Sequence, residues 1–222
     1  MIPKQELTMV FTLLRKHMDQ AAVKLAIRNK WDEIPKTPFT VLISCILSLR
    51  TKDEVTEEAS IRLLSKYPTP DLLSQQPIEH IQSLIYPVGF YKTKAHRIIE
   101  ISKTILKNYN GLVPKDFNAL LSLKGVGRKT ANIVMVYGFQ QHNYLPIDTH
   151  CHRIPNRLGW VHTKTPDETE QQLRKILPEE YWMDFNHLII TFGKTICTPI
   201  SPYCSHCPIK TYCKQVGVNT HR

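Results

Sequence analysis

LLSLKGVGRKTANIVMVYGF, residues 120–139, sets two helix signals on either side of one short turn. A helix ends near Leu123, Gly125 and Gly127 turn the chain, and a new helix opens at about Arg128. Two glycines flanking the small apolar Val126 permit positive φ and let the backbone come close to another molecule. The helix that follows offers unpaired N–H groups and the positive end of its dipole, which together favour a phosphate. A bare Gly-x-Gly is most often a tight helical hairpin with no ligand. Here Lys124, Arg128 and Lys129 surround the turn, and their charge argues for a DNA backbone held against Gly125, Val126 and Gly127. Beyond Lys129 the segment is apolar on nearly all sides, so the second helix belongs in the core with only its first turn exposed.

The same rhythm runs outward in both directions and predicts an all-α protein. Leu7, Val10, Phe11 and Leu14 form one helical stripe, and Ile98, Ile101, Ile105 and Leu106 another that stops at Asn110-Gly111. Thr37-Pro38 is an N-cap and first-turn pair opening the apolar helix from Phe39 to Leu49, and TPDE at 165–168 has the form of a capping box. No sustained period-two alternation suggests strands. PVGFYKTKAHRI (87–98) and LKGVGRKTANIV (123–134) share a glycine turn before a basic helix start, and read as two unrelated helix connections.

Composition limits the function classes. The 222 residues carry 29 Lys and Arg against 19 Asp and Glu, a net charge of +10 that favours a polyanionic partner through counterion release. No apolar run approaches the roughly 20 residues of a membrane span, and charges interrupt the N-terminal apolar positions where a secretion signal would need none. The expectation is an intracellular protein, cytoplasmic at the nucleoid or nuclear in a eukaryote, with reduced cysteines and no membrane partner.

Two side chains stand out for chemistry. A neutral amine is a nucleophile, and a positive helix end with a neighbouring arginine favours that form of a lysine, so Lys129 is a candidate nucleophile as well as a candidate phosphate contact. Asp148 in LPIDTHCHRIPNR reads first as the N-cap of a helix beginning at Thr149. Its position beyond the buried helix also suits a carboxylate facing Lys129, where it would stabilise positive charge on a sugar as a glycosidic bond breaks.

The C-terminal segment CTPISPYCSHCPIKTYC places Cys197, Cys204, Cys207 and Cys213 with six, two and five residues between them. Four thiolates in one loop suit a four-iron cluster or, with His206 or His187 as a further ligand, zinc; spacing alone leaves the two level.

LKGVGRKTAN, IDTHCHRIPNR and this cysteine spacing, together with FTVLISCILSLRTKDEVT and VGFYKTKAHRI, resemble the endonuclease III family of DNA glycosylases over essentially the whole chain. The resemblance implies two helical lobes flanking a DNA-binding cleft. One is a six-helix barrel with a helix-hairpin-helix motif over 32–142, the other an iron-sulfur lobe of 1–31 and 143–222. It implies a [4Fe-4S] cluster on Cys197, Cys204, Cys207 and Cys213, Lys129 as nucleophile and Asp148 as essential carboxylate. The activity implied is removal of oxidised pyrimidines such as thymine glycol from double-stranded DNA, with β-elimination at the abasic site, by a monomer. A mismatch thymine or adenine glycosylase and a non-catalytic metal-binding DNA module are the alternatives. The sequence departs from the family in two places. Lys124 stands where many members have proline, adding a phosphate contact. Arg50 stands near a glutamine that in some relatives fills the gap left by a flipped base. Arginine suits base edges there, or pairs with Asp53.

Overall fold

A computed structural model describes residues 2–25 and 34–222, and among these residues the chain is helical with no strand. It divides into two compact units, one of residues 29–144 and one combining 1–28 with 145–222. The boundary expected between residues 31 and 32 lies outside the described residues.

The continuous unit is built on α2 (Pro38–Ser48), whose Leu42, Ile43, Ile46 and Leu47 are fully buried. Thr37 opens this helix with a reciprocal capping box: its hydroxyl accepts from the Thr40 N–H, and Thr40 Oγ1 accepts from the Thr37 N–H. Around it follow α3 (Asp53–Leu64), α4 (Pro70–Ser74), α5 (Ile78–Ile85), α6 (Tyr91–Tyr109), α7 (Phe117–Ser122) and α8 (Arg128–Ile133), the last running into a π-helical turn over Val134–Gly138. The stripe Ile98, Ile101 and Ile105 is buried, and α6 stops where Asn110 takes φ 51° ahead of Gly111 at φ 79°.

The second unit joins α1 (Lys4–Leu25) to α9 (Thr149–Leu158), α10 (Pro166–Ile176), α11 (Trp182–Thr195) and the cysteine-bearing tail. Leu7, Val10, Phe11 and Leu14 are all buried, as their spacing predicts. The Phe11 ring lies 4.3 Å from Tyr181, just ahead of α11, and the Arg15 guanidinium meets Asp184 at 2.9 Å, so the middle of α1 is fastened to the start of α11. Burial of Phe11, Phe185 and Phe192 stabilises this junction by roughly 1.5–3 kcal/mol for each side chain. TPDE departs from the reciprocal box. Thr165 Oγ1 accepts from Glu168 N–H, but the Glu168 carboxylate accepts from Lys164 N–H, one residue too early.

Candidate functional site

The turn between α7 and α8 has the predicted boundaries and a different division of labour between its glycines. Gly125 has φ +81°, so its conformation requires glycine; a Cβ there would lie 2.6 Å from the Arg97 side chain, whose flexible end would have to move aside. Gly127 is extended, with open space around its Cα, and serves as the N-cap of α8 with no side chain to satisfy the first-turn N–H groups. Val126 is the anchor: its side chain is buried and its N–H donates to the Leu123 carbonyl. Lys124 is exposed and pairs with Glu100 at 3.0 Å, a surface contact weak enough to be exchanged for another anion. Arg128 lies over the Phe117 ring.

Lys129 is exposed on the first turn of α8, while the next three residues, Thr130, Ala131 and Asn132, are buried. The Cys45 thiol lies near enough to feel the lysine's charge, which lowers its pKa, but burial dominates and pushes it up to about 12. Cys45 therefore stays a neutral thiol and offers no competing nucleophile.

Asp148 caps α9 as its sequence position predicts, with Oδ1 accepting from the N–H groups of His150 at 2.9 Å and Cys151 at 2.8 Å. The carboxylate is half-buried, and the Cys151 thiol beside it is raised well above its usual pKa by burial first and by the Asp148 charge second.

Arg50 is an exposed non-glycine residue with φ 53°, and its guanidinium lies 5.9 Å from the centre of the Phe90 ring. The contact replaces the alternative pairing with Asp53, which Arg50 does not make. Phe90 is 64 % exposed and also left-handed, at φ 58°. An arginine and an aromatic thus stand together at the surface on two strained turns. Sequence reading passed over Phe90. Its only signal was a large apolar residue between Gly89 and a basic helix start.

All four cysteines of the tail line one largely apolar cavity with Ile154, Phe192, Ile196 and Ile209. No group of three or more His, Cys, Asp or Glu side chains among the described residues is gathered tightly enough for a single ion. His187 and His206 are exposed and lie outside this lining. Arg157, only 9 % exposed, donates to Cys197 Sγ at 3.3 Å and to the Thr198 and Pro199 carbonyls, each at 2.7 Å. The Gln215 N–H donates to Cys213 Sγ at 3.3 Å. Burial and the neighbouring sulfurs raise the Cys207 thiol to about 11, so cationic iron or zinc would have to displace its proton. Arg153, one turn before Arg157, donates to the Cys197 carbonyl at 2.7 Å. The two arginines escaped the sequence reading, although their four-residue spacing on a helix otherwise buried on that face was a usable signal.

Residues 43–179 match the model of the HhH-GPD superfamily of base excision DNA repair proteins. The chain belongs to this superfamily. Within the HhH-GPD proteins it is 50% identical over 177 residues to endonuclease III of Thermotoga maritima, covering 80% of this chain and 83% of that one. A trapped endonuclease III–DNA covalent intermediate, an estranged-adenine complex, superposes with a TM-score of 0.77 at 33% identity and 97% coverage of both chains. A non-covalent endonuclease III–DNA complex gives 0.78 at the same identity and coverage. The activity class of this HhH-GPD member is that of a base excision repair DNA glycosylase and abasic-site lyase. The superfamily match spans the glycine turn, Lys129 and Asp148 and ends before the cysteine tail. The tail's chemistry therefore rests on its own donor set. None of the helices among the described residues is long and apolar enough to cross a membrane.

Proposed function

We propose that this chain acts as a monomer inside the cell on double-stranded DNA, excising oxidised pyrimidines such as thymine glycol and then nicking the strand at the abasic site. The observation that carries the reading is an exposed lysine on the first helical turn after a glycine N-cap, in a chain of the endonuclease III kind. Gly125, Gly127 and the first-turn N–H groups of α8 hold a backbone phosphate, with Lys124 and Arg128 adding charge and Val126 fixing the turn. Arg50 and Phe90 meet the duplex where the damaged nucleotide leaves the stack. The aromatic ring enters the step, and the guanidinium contacts the base left without a partner.

In the reaction, Lys129 Nζ gives up a proton and bonds to C1′ of the sugar as the bond from C1′ to the base nitrogen breaks and its electrons leave with the base. The Asp148 charge stabilises the positive character that builds on the sugar as the base leaves, and Asp148 then accepts the proton as the bond to nitrogen forms. The sugar ring then opens: the nitrogen lone pair forms a C1′=N double bond as the C1′–O4′ bond breaks and O4′ takes up a proton, and the protonated imine acidifies the 2′ hydrogen, whose loss as a proton expels the 3′ phosphate and cuts the strand. Hydrolysis of the imine returns the lysine.

Cys197, Cys204, Cys207 and Cys213 hold a [4Fe-4S] cluster in this reading. Four thiols lining one largely apolar cavity, with no histidine in that lining, would suit a cluster held by thiolates alone. The Arg157 and Gln215 N–H groups supply the hydrogen bonds that thiolate ligands need. The cluster's contribution is to organise the tail between Cys197 and Cys213. Purified protein is expected to be brown, with iron and sulfide in equal amounts at about four each per chain. Colourless, zinc-loaded and fully active protein would rule the cluster out.

The substrate is tested by borohydride trapping on duplexes carrying thymine glycol, a preformed abasic site or a G·T mismatch. A covalent complex on thymine glycol and the abasic site supports the assignment. Trapping on the abasic site and G·T but not on thymine glycol replaces it with a mismatch glycosylase.

A further inference from the structure

Lys94 is buried with 5 % of its surface exposed, yet no carboxylate meets it. Its ammonium donates to the Leu47 carbonyl at 2.7 Å, the Leu49 carbonyl at 2.5 Å and Thr51 Oγ1 at 3.0 Å. Two of these acceptors belong to the C-terminal end of α2, the negative end of its dipole, and α2 has no basic residue of its own in its last turn. The cation that end calls for comes instead from α6, 43 residues after Thr51 in the chain.

All three acceptors bracket Arg50. Its left-handed conformation is strained for a non-glycine residue and persists only where the surroundings over-determine it. The surroundings here are specific. Lys94 grips the residues on both sides, the Gly89 N–H donates to Thr51 Oγ1 at 3.2 Å, and a Cβ at Gly89 would lie 2.6 Å from the Arg50 carbonyl oxygen. The turn that bears Phe90 and the turn that bears Arg50 are thereby locked together, with Lys94 at the junction.

We propose that Lys94 is the positioning residue for Arg50: its buried ammonium fixes the Leu49–Thr51 turn so that the arginine is presented to the base opposite the lesion. This rests on the reading of Arg50 as the contact to that base. Burial also lowers the Lys94 pKa to about 8, the mark of an amine held in place by geometry and not by a counter-charge.

The test measures cleavage of duplexes carrying an abasic site opposite adenine or opposite guanine, and reads the ratio of kcat/KM between the two. A substitution that merely weakens the fold lowers both values together and leaves the ratio alone. The wild-type chain, Arg50→Ala, Lys94→Met and Thr51→Val are compared. Lys94→Met is expected to move the ratio toward that of Arg50→Ala, by about tenfold where the contact is bidentate. Thr51→Val, which removes the acceptor shared by Lys94 and Gly89, moves it the same way by less and decides the matter if Lys94→Met does not fold. A wild-type ratio in both Lys94→Met and Thr51→Val, with a shifted ratio in Arg50→Ala, overturns the positioning role alone. A wild-type ratio in Arg50→Ala removes the Arg50 contact and the proposal with it. Because an abasic site needs no base excised, the result is independent of which damaged base the enzyme prefers.

Discussion

Lys129→Ala is expected to abolish the borohydride-trapped complex and lower strand cleavage by about 10³-fold or more, while the protein folds and binds duplex DNA. The structure makes this a clean experiment. The side chain is exposed and the core contribution of α8 comes from the residues after it, so truncation opens no cavity. Alanine is the best helix former, and the stability change should stay within about 0.5 kcal/mol. The phosphate-holding N–H groups belong to the backbone and survive the substitution. Loss of trapping with retained binding would assign the covalent chemistry to this amine. Retained trapping would move the nucleophile elsewhere and reduce Lys129 to a phosphate contact.

What the sequence disclosed, and what it did not, follows the range of the interactions involved. The glycine turn was legible because its signals are local: Gly125 needs positive φ, and α8 begins directly after Gly127. The caps of α2 and α9 were legible for the same reason, each depending on a side chain and backbone groups within three residues. The roles inside the turn were less so. Two glycines separated by one residue look equivalent in sequence, but one meets Arg97, a residue of α6, and the other meets nothing. The Arg50 turn was hidden more completely. Its conformation depends on Lys94 and Gly89, some forty residues onward, and no periodicity connects them. Lys94 itself reads as one more charge in a basic helix start, because the exception to the rule that lysines stay solvated is set by tertiary packing. Arg153 and Arg157 were missed for a similar reason. Their partners are the His150 ring, carbonyls of α11 and the tail, and the Cys197 sulfur, groups that leave no carboxylate signal in the sequence.

Asp148→Asn should lower turnover by about 10²- to 10³-fold with little loss of stability, and the contrast with Asp148→Ala separates the two tasks of this residue. Asparagine caps a helix about as well as aspartate, so its Oδ1 can keep both N–H bonds to His150 and Cys151. What it loses is the negative charge, and with it a dipole interaction of about 0.3–1 kcal/mol. Alanine removes the cap as well, at a further cost of about 1 kcal/mol, which in a chain of 222 residues lowers the melting temperature by roughly 2–4 °C. Equal loss of turnover in the two variants, with the additional melting shift confined to alanine, would mean that the charge serves the reaction while the Oδ1 bonds serve the helix. An asparagine variant with wild-type turnover would leave Asp148 as a cap only, and the proton from Lys129 would need another acceptor.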